Sequence, residues 1–313
     1  MSLSKPFPDV ALVGAMKSAT TTLASTLQQH PQLAVAEPKE PGFFSRDERY
    51  ELGFDWYVRQ FPDYHDSQLS CDASTCYSRS REYPLAAERL ADANPQVKII
   101  YLLRNPIERA YSHYCHEMAE RFLRGESPVR LADYFHTDRT ALYASEYSIE
   151  LLHLREFFSP SQILCLRFER FLTDSVGVLA EISRFLETDD FTEVQEPPNS
   201  HENARGDSVK RTEVRRNVNR LRHSWVARSI RPVLSRRSRD ALRSGLTVLL
   251  QKTKLGEKRS QRFRHSVDPL SLEVRNWLHE RLDPHSTELE SLLGWDLTDW
   301  KVGERIKVEE EVG

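Results

Sequence analysis

Residues 10–24, Val-Ala-Leu-Val-Gly-Ala-Met-Lys-Ser-Ala-Thr-Thr-Thr-Leu-Ala, constrain the fold more than any other stretch of this chain. Val10–Val13 is short, β-branched and apolar, the composition of a buried parallel strand. Gly14 breaks the run, and from Thr20 onward Leu23 and Leu27 recur at helical spacing. A strand that turns directly into a helix leaves unpaired N–H groups at the helix start, where the dipole favours an anion. Lys17 brings a full positive charge to that turn, and Ser18, Thr20, Thr21 and Thr22 bring hydroxyls. The Walker pattern G-x-x-x-x-G-K-[ST] is absent: only Ala15 and Met16 separate Gly14 from Lys17. The segment predicts a seat for a phosphate-like ester that is not an ordinary ATP loop. Taken alone, it is matched equally well by a chance lysine at a strand–helix turn.

A second anion-binding pattern lies at residues 97–114. The apolar run Val97–Leu103 ends in Arg104, and Pro106 suits the first turn of a following helix, where its missing N–H costs nothing. Arg104 therefore falls at a strand's C-terminal end, the edge at which open parallel sheets bind ligands. Ser112 and Arg109 stand three apart on one face of that helix. The Arg104 guanidinium and the Ser112 hydroxyl together can hold a second phosphate. The competing reading pairs Arg104 with a carboxylate and puts Arg109 on the surface.

Alternation of period-2 and period-3.6 patterns extends this to the whole chain. Strands are expected at 10–13, 33–36, 69–72, 97–103 and 163–168. Helices are expected at 20–29, 54–60, 84–93, 106–121, 145–157 and 174–186, and a final helix at 270–282. This is an α/β pattern with a central parallel sheet of about five strands between helical layers.

The two anion segments together resemble those of sulfotransferases that use 3′-phosphoadenosine-5′-phosphosulfate (PAPS). Lys17-Ser18-Ala19-Thr20-Thr21 stands for their 5′-phosphosulfate loop, with Ala19 where Gly is usual. Arg104-Asn105-Pro106 through Arg109 and Ser112 matches their 3′-phosphate site in full. A Cβ at position 19 would crowd the phosphosulfate or demand an altered backbone angle. Glu37-Pro38-Lys39-Glu40-Pro41-Gly42-Phe43-Phe44 is similar to the segment of the heparan-sulfate-type and related bacterial branch in which a Glu before Phe-Phe is the general base. Asp72-Ala73-Ser74-Thr75-Cys76-Tyr77 occupies the place of that branch's Glu-x-Ser/Thr-Pro-x-Tyr.

The resemblance implies a P-loop-like three-layer fold and transfer of a sulfuryl group from PAPS to a hydroxyl, or less readily an amine, of a carbohydrate or small-molecule acceptor. It implies Lys17 and Glu40 as catalytic residues, and Lys17, Ser18, Ala19, Thr20, Thr21, Thr22, Arg104 and Ser112 as the PAPS site. Arg262 or Arg264 would replace an absent Lys-Gly-Arg closing loop, and Glu40, Phe44, Ser74 and Tyr77 would meet the acceptor. Glu40 competes with a plain surface carboxylate paired with Lys39, and as base with Glu37, His113 and His116. Ala73 and Gly42 drop a cationic and a polar group found in heparan enzymes, which favours a smaller or less charged acceptor. No metal is expected, since no Cys or His spacing matches a zinc site.

One domain is expected, with a core sheet region at 8–196, a helical basic insertion at 197–261 and a closing helix region at 262–300. Arg205 to Arg243 holds thirteen Lys/Arg against three Asp/Glu. Such a run is a solvated face, a clamp over phosphates or a dock for an anionic acceptor. A nucleotide kinase and a nucleic-acid binder acting through this run are the rival functions. The net charge of −3 opposes general polyanion binding, so no nucleic-acid partner is expected. No stretch approaches the ~20 apolar residues of a membrane span, and residues 1–9 lack a signal-peptide core. The expectation is a soluble cytoplasmic enzyme without a membrane anchor, its four cysteines reduced, with Cys71 and Cys76 the one pair placed to bond. From Asp299 onward the chain is expected to fray.

Overall fold

Five apolar runs form one all-parallel sheet in the order β2-β3-β1-β4-β5. The strands are β1 (Val10–Gly14), β2 (Leu33–Val35), β3 (Leu69–Asp72), β4 (Lys98–Leu103) and β5 (Ile163–Arg167). A computed structural model of the chain describes residues 7–61, 64–65, 67–191, 263 and 267–301. The chain leaves β1 toward β2 on one side and leaves β4 toward β5 on the other. The crevice above the C-terminal ends of adjacent β1 and β4 is therefore the topological switch point of the sheet.

Alternation along the strands divides the core in two. Ala11, Val13, Ile99, Tyr101 and Leu103 face one layer, where α4 (Ala86–Ala93), α8 (Tyr147–Phe157) and α11 (Leu272–Leu293) bring Leu90, Leu151, Leu154 and Leu289. Val10, Leu12, Ile100 and Leu102 face the other, where α1 (Thr20–Leu27) and α10 (Ser175–Leu186) bring Leu23, Leu27, Val178, Ile182 and Leu186. The expected three-layer parallel fold is the one observed. Shorter helices fill the connections: α2 (Asp47–Tyr50), α3 (Phe54–Val58), α6 (Leu131–Thr137), α7 (Thr140–Tyr143), α9 (Phe168–Thr173) and α12 (Thr298–Lys301). Among the described residues α5 (Pro106–Arg124) is the longest element after α11.

Residues divide into two compact units. The first comprises Met1–Ala110, Arg139–Pro198 and Leu272–Gly313, and contains the sheet. The second comprises Tyr111–Asp138 and Asn199–Ser271. In its described part, Tyr111 donates to the Asp268 carbonyl (3.0 Å), the Leu131 N–H donates to Asp268 Oδ2 (2.8 Å), and Phe122 packs on Phe263.

Two expectations at the C-terminus are corrected. The helix expected at 270–282 does not stop there but runs to Leu293 through Pro284, because the stripe Leu278, Leu282, Ser286, Leu289 stays buried past the proline, the Ser286 hydroxyl bonded to the Leu282 carbonyl. Nor does the chain fray at Asp299: Asp299–Lys301 belong to α12, and Trp300 is buried against Tyr147, with ring centroids 6.1 Å apart. The expected basic insertion lies outside the described residues. None of the described helices is long and apolar enough to cross a membrane.

Candidate active site

The turn after β1 is set by close approach. A Cβ on Gly14 would stand 2.3 Å from Ser78 Oγ and 3.0 Å from the Tyr101 ring, so no larger residue fits there. The Ala15 N–H then donates to the Leu102 carbonyl of β4 (2.7 Å), which holds the loop to the neighbouring strand. Lys17 (φ 74°) and Ala19 (φ 59°, ψ 21°) both adopt the left-handed conformation. Ala19 thus takes a backbone angle that glycine adopts without penalty, and carries the strain of its Cβ there. It is the N-cap of α1, and no side chain caps that helix, which leaves its first N–H groups directed outward. Ser18 Oγ is fully buried yet hydrogen-bonded to nothing among the described residues. An orphaned hydroxyl beside an uncapped helix start suits an anionic ligand.

Arg104 comes off the end of β4 onto the same loop. Its Nη1 donates to the Lys17 carbonyl at 3.1 Å, and its guanidinium lies 4.8 Å from the Phe168 ring centroid. Burial pulls the guanidinium below its ordinary pKa. It makes no ion pair among the described residues, so the expected alternative of a carboxylate partner is not realised. Asn105 caps α5 by accepting from the N–H groups of Ile107 and Glu108 (3.0 and 3.2 Å), with Pro106 at the first helical position as the pattern predicts. From beneath, Tyr147 donates to the Arg104 carbonyl (2.9 Å), and Asn105 Nδ2 donates to the Trp300 carbonyl (3.4 Å).

Arg109 departs from the surface position expected of it. It is fully buried, not on the surface, and its guanidinium donates to Ser145 Oγ (2.7 Å), to the Met16 carbonyl (3.4 Å) and to the Ala141 carbonyl. Its place is behind the Lys17 loop, which it braces through Met16. Ser112 and the buried His113 belong to the part of α5 counted in the second unit, as does His116.

The segment after β2 carries Glu40, itself in the left-handed conformation (φ 63°). Arg49 of α2 donates to the Glu40 carbonyl (3.2 Å) and to that of Pro41. The Gly42 N–H donates to Ser74 Oγ (3.0 Å), and Ser74 donates in turn to Asp72 Oδ1 (2.6 Å). Lys39 pairs with Glu40 as the plain reading expects, but its ammonium also reaches Thr20 and Thr21 at the start of α1. The Glu40 side chain remains 34% exposed, open to a ligand from solvent.

Asp72 anchors this region. It is fully buried and accepts from Ser74, Tyr57 (2.8 Å) and Tyr77 (2.7 Å). Burial lifts its carboxyl to about 6, although the three hydroxyl donors pull the other way. Phe44, Ser74 and Tyr77, expected to meet the acceptor, are all buried here, with both hydroxyls engaged on Asp72 and the Phe44 ring packed on Tyr57. Cys71 and Cys76 are buried free thiols, in keeping with the expectation of reduced cysteines; burial pushes Cys76 up to about 11. Arg262 and Arg264 lie outside the described residues. No group of three or more His, Cys, Asp or Glu able to hold a metal ion occurs among the described residues.

Residues 7–251 match the family model of the sulfotransferase domain. The heparan sulfate glucosamine 3-O-sulfotransferase 6 of Homo sapiens is 31% identical over 190 residues, 58% of this chain and 52% of that protein. The bifunctional heparan sulfate N-deacetylase/N-sulfotransferase 4 of Mus musculus is 28% identical over 200 residues, 57% of this chain and 22% of that protein. The chain thus spans about half the length of the 3-O-sulfotransferases it matches. Among solved structures, a sulfotransferase from Alicyclobacillus acidocaldarius superposes with a TM-score of 0.63 at 21% identity, covering 95% of this chain and 100% of that one. That likeness is one of fold.

Proposed function

Because the chain belongs to the sulfotransferase domain family, we propose that it transfers a sulfuryl group from PAPS to a hydroxyl of a carbohydrate or small-molecule acceptor. The observation that carries this reading is the contact between the two anion loops at the switch point. Arg104, desolvated and in no direct ion pair among the described residues, donates to the Lys17 carbonyl, while the buried Ser18 hydroxyl has no hydrogen-bond partner among them. Two cationic loops joined in this way suit a ligand with two separated phosphate-like groups better than one with a single phosphate chain.

PAPS supplies an activated sulfuryl group on a bisphosphate that leaves. The residues of the chain account for the rest. Lys17 and the open N–H groups of α1 oppose the negative charge that builds on the leaving oxygen in an in-line displacement. Arg104 holds the second phosphate and fixes the leaving group in place. Glu40, reachable from solvent at 34% exposure, takes the proton from the acceptor hydroxyl as it attacks. The backbone of the Glu40 loop is held by Arg49 and by the Gly42–Ser74–Asp72 relay, so the base sits on a braced segment although that segment is a loop.

Substitution Glu40→Gln tests the assignment. The variant should bind adenosine 3′,5′-bisphosphate as the wild type does and lose at least ~100-fold in PAPS turnover, the lower range for loss of a general base. Turnover within a few-fold of wild type would remove Glu40 from the chemistry and turn attention to Glu37.

A further inference from the structure

Lys39 joins the two halves of the site. Its Nζ stands 2.9 Å from Glu40 Oε1, 3.3 Å from Thr20 Oγ1 and 3.2 Å from Thr21 Oγ1. An ammonium has three protons to donate, and these contacts offer three acceptors on two different elements. We propose that Lys39 is a positioning residue that fastens the Glu40 carboxylate to the first turn of α1, and so fixes the base relative to the donor seat. The inference rests on the reading of Glu40 as base and of the Lys17–Thr22 turn as the donor site.

The local geometry explains why such a tether is needed. Glu40 lies on the connection between β2 and α2, with a left-handed backbone. Arg49 and Gly42 fix the main chain of this loop, and the side chain that it carries still has several torsions to set. A misplacement of about 1 Å between base and reacting atom can cost a hundredfold in rate. Lys39 links the carboxylate to the hydroxyls that open α1, the helix whose start carries the donor. The Lys39 side chain itself is only 16% exposed. A lysine suits this role better than an arginine. Its three donors diverge toward three separate oxygens, whereas a guanidinium presents a flat fork matched to one carboxylate. The pairing of Lys39 with Glu40 thus links the base to the helix.

The test is a double-mutant cycle of Lys39→Met and Glu40→Gln, made in the full chain. Release of labelled sulfate from PAPS is read with water as the acceptor and with an N-sulfated heparan oligosaccharide. Binding of adenosine 3′,5′-bisphosphate is measured alongside by calorimetry. Lys39→Met should lower kcat by about tenfold or more in the wild-type background, leave bisphosphate affinity within about twofold, and have no further effect once Glu40 is Gln. Lys39→Arg should recover only part of the loss. An equal fall in the Glu40→Gln background would show that Lys39 acts on the fold and not through Glu40. A weakened bisphosphate affinity with unchanged kcat would make it a ligand of the anion instead. Either result overturns the proposal. If Glu40→Gln alone leaves turnover intact, the reading beneath the proposal fails, and that pattern differs from both.

Discussion

Replacing Asp72 by Asn should remove a pH-dependent loss of stability that the wild type carries. Asp72 is fully buried, and its carboxyl is lifted from 3.8 to about 6, burial outweighing the three hydroxyls that donate to it. At ~1.4 kcal/mol per pH unit, that gap is worth ~3 kcal/mol. Because the folded chain holds this proton to higher pH than the unfolded chain, the native state binds more protons between about pH 4 and pH 6. Stability from this group is therefore greatest below that window, falls as pH rises through it, and is level above it. Asn keeps the shape and offers an oxygen and an amide to the same hydroxyls of Ser74, Tyr57 and Tyr77, but does not ionise. Urea unfolding of wild type and Asp72→Asn across pH 4 to pH 7 isolates the contribution, since other titrating groups cancel in the difference. The wild type should lose roughly 2 kcal/mol of that relative to the variant over this range, because at pH 4 the unfolded carboxyl is already more than half ionised. A difference that stays constant, or that moves in favour of the wild type as pH rises, would refute the claim that burial dominates at Asp72.

Two further substitutions probe the structure around the site. Ala19→Gly should stabilise the chain by ~0.5 kcal/mol, because relief of ~1–2 kcal/mol of left-handed strain exceeds the added unfolded-state entropy of glycine; a loss above ~1 kcal/mol in urea unfolding would show that the Ala19 Cβ packs more than it strains. Trp300→Ala should cost ~3–5 kcal/mol, as expected for emptying a fully buried aromatic site, and a loss below ~1 kcal/mol by the same method would restore the frayed-end reading.

The sheet was legible because its strands are continuous apolar runs closed by turn residues, as at Val10–Gly14 and Lys98–Leu103, and buried parallel strands leave few alternatives for such runs. The turns that carry Lys17 and Arg104 were legible because each follows an apolar strand directly, and adjacent parallel strands bring the two strand ends together. Residues whose role depends on distant partners were not. Arg109 reads as solvent-facing on charge alone, yet it satisfies carbonyls of Met16 and Ala141 that only the tertiary fold brings to it. Ser74 and Tyr77 read as ligand contacts, but their hydroxyls are drawn inward by Asp72. Trp300 belongs to no periodic pattern, and an acidic tail follows it, so nothing near it in sequence signals burial. The long α11 hides its continuation behind Pro284, because its stripe is held by packing and not by propensity.

The central claim is that the Lys17 and Arg104 loops form one seat for the two phosphate groups of PAPS. Calorimetric titration of the wild-type chain with adenosine 3′,5′-bisphosphate and with ATP, repeated on Arg104→Ala, tests it most directly. The account predicts that the bisphosphate binds at least about tenfold more tightly than ATP, and that Arg104→Ala weakens it by about tenfold or more, the loss expected for a charge-assisted bond. Binding of ATP alone, or bisphosphate binding indifferent to Arg104, would contradict it.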